Sequence, residues 1–316
     1  MSIGLQEVGK VSHSEKGSSC TLSGNMNYPG KQGEGTSDNS TQQKGQRAKP
    51  KKKWTRAGIT ITSLNIKGYG QSGQNSKWMH INQIMHDKKI AVLSVQETHM
   101  DEDRKDKIEH LFGQRLKILA SADAESPTQR AGVAIVLNKS FLNVGTAMTK
   151  EIVPGWAMWV QLDWNGGDTL MILVVYAPNA PTENASSWGK ITDYFVNHPR
   201  IKRPNVMMGD LNMVEDAIDR YSMHMDNRTQ VQVLNNLKAD LHLVDGWRDA
   251  HPGTKCYTFQ QLNGSSKSRI DRIYIKQNMK VKSDNWRMEH SGIVNTDHWM
   301  VLAKISNGRG PAIGKG

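Results

Sequence analysis

Cysteine is nearly missing from this 316-residue chain, which carries only Cys20 and Cys256. Two cysteines so far apart form neither a disulfide framework nor a zinc-ligand pattern, and they suit a reducing compartment. Long hydrophobic runs are missing as well. The apolar stretch Met171–Ala177 is far too short to cross a bilayer, and the first residues lack the apolar core of a signal peptide. An intracellular protein with no membrane partner is expected. Gly68-Tyr-Gly-Gln-Ser-Gly73 has neither the lysine nor the strand–helix context of a phosphate-binding P-loop, so it reads as a flexible loop. Asn184-Ala-Ser186 has the glycosylation pattern, which means little in a chain without a signal peptide. No internal repeat is found. What the chain does have is tryptophan, nine in all, and 37% hydrophobic residues, enough for a sizeable core.

Positive charge is also abundant, and its placement is uneven. The net charge is +11; residues 1–58 hold 10 Lys+Arg against 4 Asp+Glu, and the remainder 31 against 26. Such a balance favours polyanionic partners, nucleic acid among them. Residues 1–57 are rich in Gly, Ser, Asn, Gln and Lys without aliphatic periodicity. They cannot bury enough surface to offset their ordering entropy, so a disordered basic arm is expected. The arm ends in a cluster holding Lys51, Lys52 and Lys53, which reads as a nuclear-import signal, a DNA-gripping element or a solvated linker. One folded domain is expected over 58–306, and a disordered tail over 307–316.

Within that domain the periodicity predicts strands over Ile59–Asn65, Ile90–Glu97, Arg115–Ala120, Ala131–Leu137, Ala157–Leu162, Leu170–Tyr176, Asn205–Asn212, Arg269–Ile275 and Trp299–Ile305. Helices are predicted over Ser76–Asp87, Asp101–Phe112, Glu183–Val196 and Asn227–Ala239. Many strands with few long helices point to packed sheets covered by helices. The period-2 reading also places polar residues where apolar strand faces run out. Ile59 and Ile61 lead to Asn65, while Ala91, Leu93 and Val95 lead to Glu97. Leu170, Ile172 and Val174 lead to Tyr176, Val206 and Met208 to Asp210 and Asn212, and Asp271 shares a face with Ile273 and Ile275. A carboxylate aimed into a core costs several kcal/mol unless it is paired or binds a cation. A lone strand-end Asp is more often a turn cap; several together fit an oxygen site for a hard cation such as Mg²⁺. Asp297 and His298 add a carboxylate and an acid/base side chain.

Six short stretches in this order resemble the endonuclease/exonuclease/phosphatase superfamily: Ser63-Leu-Asn65, Gln96-Glu-Thr98, Tyr176-Ala-Pro-Asn179, Gly209-Asp-Leu-Asn212, Ser268-Arg-Ile-Asp-Arg-Ile273 and Thr296-Asp-His298. Within it the chain looks most like the apurinic-endonuclease-like endonuclease domain of non-LTR (LINE-type) retrotransposons, on Leu243-Val-Asp-Gly-Trp-Arg248, His251-Pro252 and Tyr257-Thr-Phe259. Lys267-Ser-Arg-Ile stands where inositol phosphatases carry a Pro-Ala-Trp-Cys-like run. Met207-Met208 stands where repair enzymes usually have Trp, and Thr296 replaces the more usual Ser.

The resemblance implies an α+β fold, a four-layered DNase I-like sandwich of two packed, mainly antiparallel sheets flanked by helices. It implies a Mg²⁺-dependent (or Mn²⁺-dependent) DNA endonuclease that nicks to leave 3′-hydroxyl and 5′-phosphate ends. Glu97 with Asn65 would hold the metal, and Asp297 would contribute directly or through water. Asp210 would activate the attacking water, Asn212 and Tyr176 would position the phosphate or leaving group, and His298, oriented by Asp271, would stabilise the pentacovalent state. The implied partners are DNA in the nucleus and a reverse transcriptase of the same element, which this chain does not encode. Two alternatives stay open: a phosphoesterase acting on inositol or lipid phosphates, and a non-catalytic DNA-binding remnant. The segment between Phe259 and Ser268, with Asn263 and Lys267, reads either as a DNA-reading hairpin or as an ordinary polar turn carried by Asn263-Gly264.

Overall fold

Alternating apolar residues in the middle of the chain build two sheets whose inner faces meet. The computed structural model describes residues 55–70, 76–261 and 264–309. Lys51, Lys52, Lys53 and Asn263, most of the expected arm and tail, and part of the glycine-rich loop lie outside the described residues. In chain order the elements are β1 (Gly58–Asn65), α1 (Lys77–Asp87), β2 (Ile90–Gln96), α2 (Glu102–Phe112), β3 (Leu116–Ser121), β4 (Val133–Asn138), β5 (Met148–Val153) and β6 (Ala157–Asp163). There follow β7 (Thr169–Tyr176), α3 (Pro181–Asn197), β8 (Val206–Asp210), α4 (Arg228–Leu241), β9 (Leu243–Asp245) and α5 (Gly246–Ala250). The last are β10 (Phe259–Gln260), β11 (Lys267–Ser268), β12 (Asp271–Lys276), β13 (Ser283–Glu289) and β14 (Met300–Ser306).

One six-stranded sheet runs β13-β14-β1-β2-β4-β3 and the other β5-β6-β7-β8-β12-β9, with β10 and β11 forming a separate ribbon. Each large sheet has one parallel pair, β1/β2 and β7/β8, and is otherwise antiparallel. Ile59, Ile61 and Ile135 of the first sheet pack against Ile172, Met208 and Ile273 of the second. On the outer face of the first, Trp78, Ile81 and Met85 of α1 and Ile108 of α2 cover Leu64, Leu93 and Val95. On the outer face of the second, Trp188 and Phe195 of α3 and Leu234 of α4 cover Trp159, Leu173 and Met207. Helix, sheet, sheet, helix: this is the four-layered α+β sandwich. Each fully buried aliphatic side chain contributes roughly 1.5–3 kcal/mol to holding it. The helices start where their caps allow. The Ser76 hydroxyl accepts from the Met79 amide and the Asp101 carboxylate from the Arg104 amide, each cap stabilising its helix by about 1 kcal/mol.

Strands β5, β9 and β13 were not expected. They lie at sheet edges, and β5 and β13 bury few residues, so neither carries a clean alternation. Residues on either side of the expected 58–306 span also contact the domain. Thr55 is buried with its hydroxyl accepting from the Asn143 amide, Arg56 lies over the Phe141 ring, and Arg309 pairs with Asp168.

Candidate active site

The inner strands deliver polar side chains to one edge of the sandwich. Asn65 ends β1 on the face of Ile59 and Ile61, and Tyr176 ends β7 on the face of Ile172 and Val174. In the parallel β7/β8 register Tyr176 faces Asp210, and in the antiparallel β8/β12 register Asp210 faces Asp271. This close spacing depends on Gly209, where a Cβ would stand 1.8 Å from the Val175 carbonyl oxygen of β7.

Glu97 arrives differently from the expectation. Leu93 and Val95 face the helix layer, not the other sheet, and a register shift at Thr60/Ile61 accompanies the change of face. Strand β2 stops at Gln96, and Glu97 reaches the site through a left-handed backbone turn at φ 51°. Asn212, beyond the end of β8, is likewise left-handed at φ 49°.

The groups meet in one network. Asn65 Nδ2 donates to Glu97 Oε1 and to Asp210 Oδ2, both at 2.8 Å, while its Oδ1 accepts from the Lys67 amide at 2.8 Å. Tyr176 donates its hydroxyl to the same Glu97 Oε1 at 3.0 Å. The Asn212 amide donates to Asp210 Oδ1 at 2.9 Å, and its side chain holds the Ala177 carbonyl. His298 Nδ1 lies 2.8 Å from Asp271 Oδ2, and its Nε2 looks out at Asp210 Oδ2 at 3.9 Å and Asp297 Oδ1 at 3.8 Å. The residues named from the sequence as catalytic or metal-binding therefore converge: Asn65, Glu97, Tyr176, Asp210, Asn212, Asp271, Asp297 and His298. Of the candidate DNA contacts, Lys267 lies half-buried opposite Gln260, at the turn end of the β10–β11 ribbon.

Burial and like charge tune the site. Burial first, then the neighbouring Asp271 carboxylate, pushes Asp210 up to about 7. Burial acts to lower His298, but Asp271, Asp210 and Asp297 outweigh it and raise the imidazole to about 9. Burial and the Glu97 and Asp210 charges raise the Tyr176 hydroxyl, so it stays a donor. At neutral pH the site thus holds a cationic imidazole facing a carboxyl poised near its own titration.

Two groups of side chains could hold a cation. Ligand atoms of Asp210, Asp271 and His298 lie within 4.8 Å of one another. That imidazole, however, is already bonded to Asp271 and favours its cationic form, which opposes a second positive charge. Glu97 is the better candidate. Its Oε1 is fixed by two donors, its Oε2 takes no hydrogen bond among the described residues, and it is only partly buried. One or two carboxylates completed by water suit Mg²⁺. Asn65, as placed, offers nitrogen and not oxygen to the carboxylates, so it spaces Glu97 from Asp210.

Sequence reasoning missed four contributors. Lys67 pairs with Asp297 Oδ2 at 2.8 Å. Lys77, buried, donates to the carbonyls of Ile66, Lys67 and Gly68 and so clamps the turn after β1. Its signal was legible, because Lys77 falls on the helical stripe of Ile81 and Met85. The Thr258 hydroxyl accepts from the Ile270 and Asp271 amides at 3.1 and 3.0 Å. Asn184 is fully buried, bridging the carbonyls of Pro178 and Leu211 at 2.9 and 2.8 Å. It is thus a tie between the segments that follow Tyr176 and Asp210, not a glycosylation site.

Comparison with known proteins gives the same picture. The profile of the Endonuclease/Exonuclease/phosphatase family matches residues 62–287. A 156-residue stretch, 49% of the chain, is 28% identical to the transposon TX1 uncharacterized 149 kDa protein of Xenopus laevis, and spans 12% of that protein. The AP endonuclease LMAP from Leishmania major superposes with a TM-score of 0.63 at 14% identity, over 79% of this chain and 88% of that one. The endonuclease domain of TRAS1, a telomere-specific non-LTR retrotransposon, does so with a TM-score of 0.56 at 16% identity, over 78% and 98%. At these identities the two structures establish a shared fold.

Proposed function

The chain belongs to the endonuclease/exonuclease/phosphatase family, and we propose that it is a divalent-metal-dependent endonuclease that nicks DNA, leaving 3′-hydroxyl and 5′-phosphate ends. The observation that carries this reading is the opposition of two sets of groups across a short gap. On one side His298 is held by Asp271; on the other Glu97 is held by Asn65 and Tyr176; Asp210 lies between them. A Mg²⁺ ion at Glu97 would neutralise charge on the scissile phosphate and on the leaving oxygen.

The protein's own groups supply the rest. Asp210, oriented by the Asn212 amide and Asn65, takes the proton of the attacking water, and its elevated pKa suits a base working near neutrality. His298 keeps its proton and presents Nε2 to a phosphate oxygen, stabilising the charge that builds in the pentacovalent state. Tyr176 stays protonated and fixes the Glu97 carboxylate. DNA as the substrate is supported by the net charge of +11 and by the likeness to transposon sequence. A role beside a reverse transcriptase in the nucleus is part of the same reading.

Supercoiled plasmid incubated with the protein and Mg²⁺ should convert to the nicked circle, and EDTA should stop the conversion. Phosphate release from an inositol headgroup with the plasmid untouched would contradict the proposal.

A further inference from the structure

A cavity of about 380 Å³ opens beside the site and plays no part in the chemistry described above. This is within the range of small-ligand pockets, roughly 300–1,000 Å³. Its walls include Arg130, Trp156, Pro178, Glu183, Ser186 and Lys190. One wall leads directly to the reacting groups. The Trp156 indole lies flat on the Tyr176 ring, centroids 5.2 Å apart and planes 2° from parallel, and the Tyr176 hydroxyl holds Glu97.

Trp156 is also rigidly mounted. Val153-Pro154-Gly155-Trp156 closes a turn through the Trp156 amide and the Val153 carbonyl at 2.9 Å. The left-handed Gly155, φ 74°, follows Pro154, as a type II turn requires. The Gly155 amide is fixed by the Ser121 hydroxyl at 2.9 Å, and the Tyr176 amide bonds the Trp156 carbonyl at 2.8 Å. An aromatic plate this well fixed loses little entropy when a flat ring stacks on it.

The Arg130 guanidinium lies over the Trp156 ring, 5.5 Å from its centroid. That side chain is 55% exposed and its ion pair with Asp123 is long, at 3.8 Å, so little opposes its swinging aside. Lys190 reaches the cavity from the exposed side of α3.

We propose that this cavity is a subsite for one unpaired nucleobase of the substrate strand, next to the scissile phosphate. The base stacks on Trp156 in the place of Arg130. Arg130 and Lys190 take the flanking phosphates, and Glu183 accepts from an exocyclic amine. This rests on the phosphodiesterase reading, but it makes a separate claim: binding through a base, without metal.

The probe is a trinucleotide of deoxyribose carrying 2-aminopurine at its centre, titrated in EDTA against the full chain. The wild type should quench its fluorescence saturably. Trp156→Ala should weaken binding by about tenfold or more, the order of one stacked base, and Trp156→Phe should restore most of it. Ser186→Trp, which fills the cavity from α3, should abolish quenching. Equal quenching by the wild type, Trp156→Ala and Ser186→Trp would overturn the subsite, as would a wild type that nicks plasmid but never quenches the probe. Quenching that obeys all three variants, in a protein that nicks no DNA, would retain the subsite and reject the endonuclease.

Discussion

At the scale of single residues, the site stores free energy that chemistry can use. Asp210 is raised by burial and by Asp271, and His298 is raised by its carboxylate neighbours. Both shifts act in one direction on metal-free stability. Asp210 has a folded pKa above its ordinary 3.8, so ionising it costs stability increasingly as pH rises from about 4 to about 7. His298 has a folded pKa above its ordinary 6.5, so its stabilisation is complete below about 6.5 and is lost as pH rises through about 9. The melting temperature in EDTA should therefore fall between pH 5 and pH 9, and the slope should be shallower in Asp210→Asn. The imidazole resonances of His298 should titrate near 9. In Asp271→Asn they should titrate lower than in the wild type, because the largest of the charges that oppose burial is gone. A flat thermal profile with an ordinary His298 titration would remove the electrostatic basis of the mechanism.

Among the elements, the β10–β11 ribbon is the one that joins the surface to the chemistry. The Phe259 ring lies 5.1 Å from the His298 ring, and the Gln260 amide bonds the Asp297 carbonyl at 3.2 Å. Replacing residues 261–266 with a short glycine-rich turn should redistribute nick positions while nicking continues. Sequencing the nick sites reads this out, and an unchanged distribution would make the ribbon a connector. The same scale shows what sequence could reveal. Ile59 and Ile61 lead to Asn65, and Val206 and Met208 to Asp210, because those residues keep strand periodicity to the end of β1 and β8. The face containing Leu93 and Val95 misled, because a register shift and a left-handed residue at Glu97 are set by tertiary contacts that alternation does not encode. Helix starts were legible where Ser76 and Asp101 cap. The edge strands β5 and β13 were not, because a strand with little buried surface has little pattern to read. Thr258 and Asn184 act through backbone groups outside their own elements, and no periodicity or motif announces them.

For the whole molecule, the densest run of positive charge and the catalytic groups occupy different parts of the chain. Seven of its cationic residues fall between Lys44 and Arg56, ahead of every group in the site. Because Thr55 and Arg56 are seated on the domain, the informative deletion removes residues 1–54. If that segment grips phosphates, binding to DNA should weaken, and the log–log salt slope should shrink by roughly four to six. Turnover at saturating DNA should hold. Indistinguishable slopes would make the segment a linker or an import signal. The central claim concerns the domain itself: Asp210, held between Asn65 and His298, activates the water that breaks a DNA strand. Its most direct test is single-turnover nicking of supercoiled plasmid in Mg²⁺, comparing the wild type with Asp210→Asn protein whose circular dichroism is native. The variant should nick slower by about 10²–10⁴-fold, the range expected on removing a general base. Folded Asp210→Asn protein that nicks at nearly the wild-type rate would contradict the assignment.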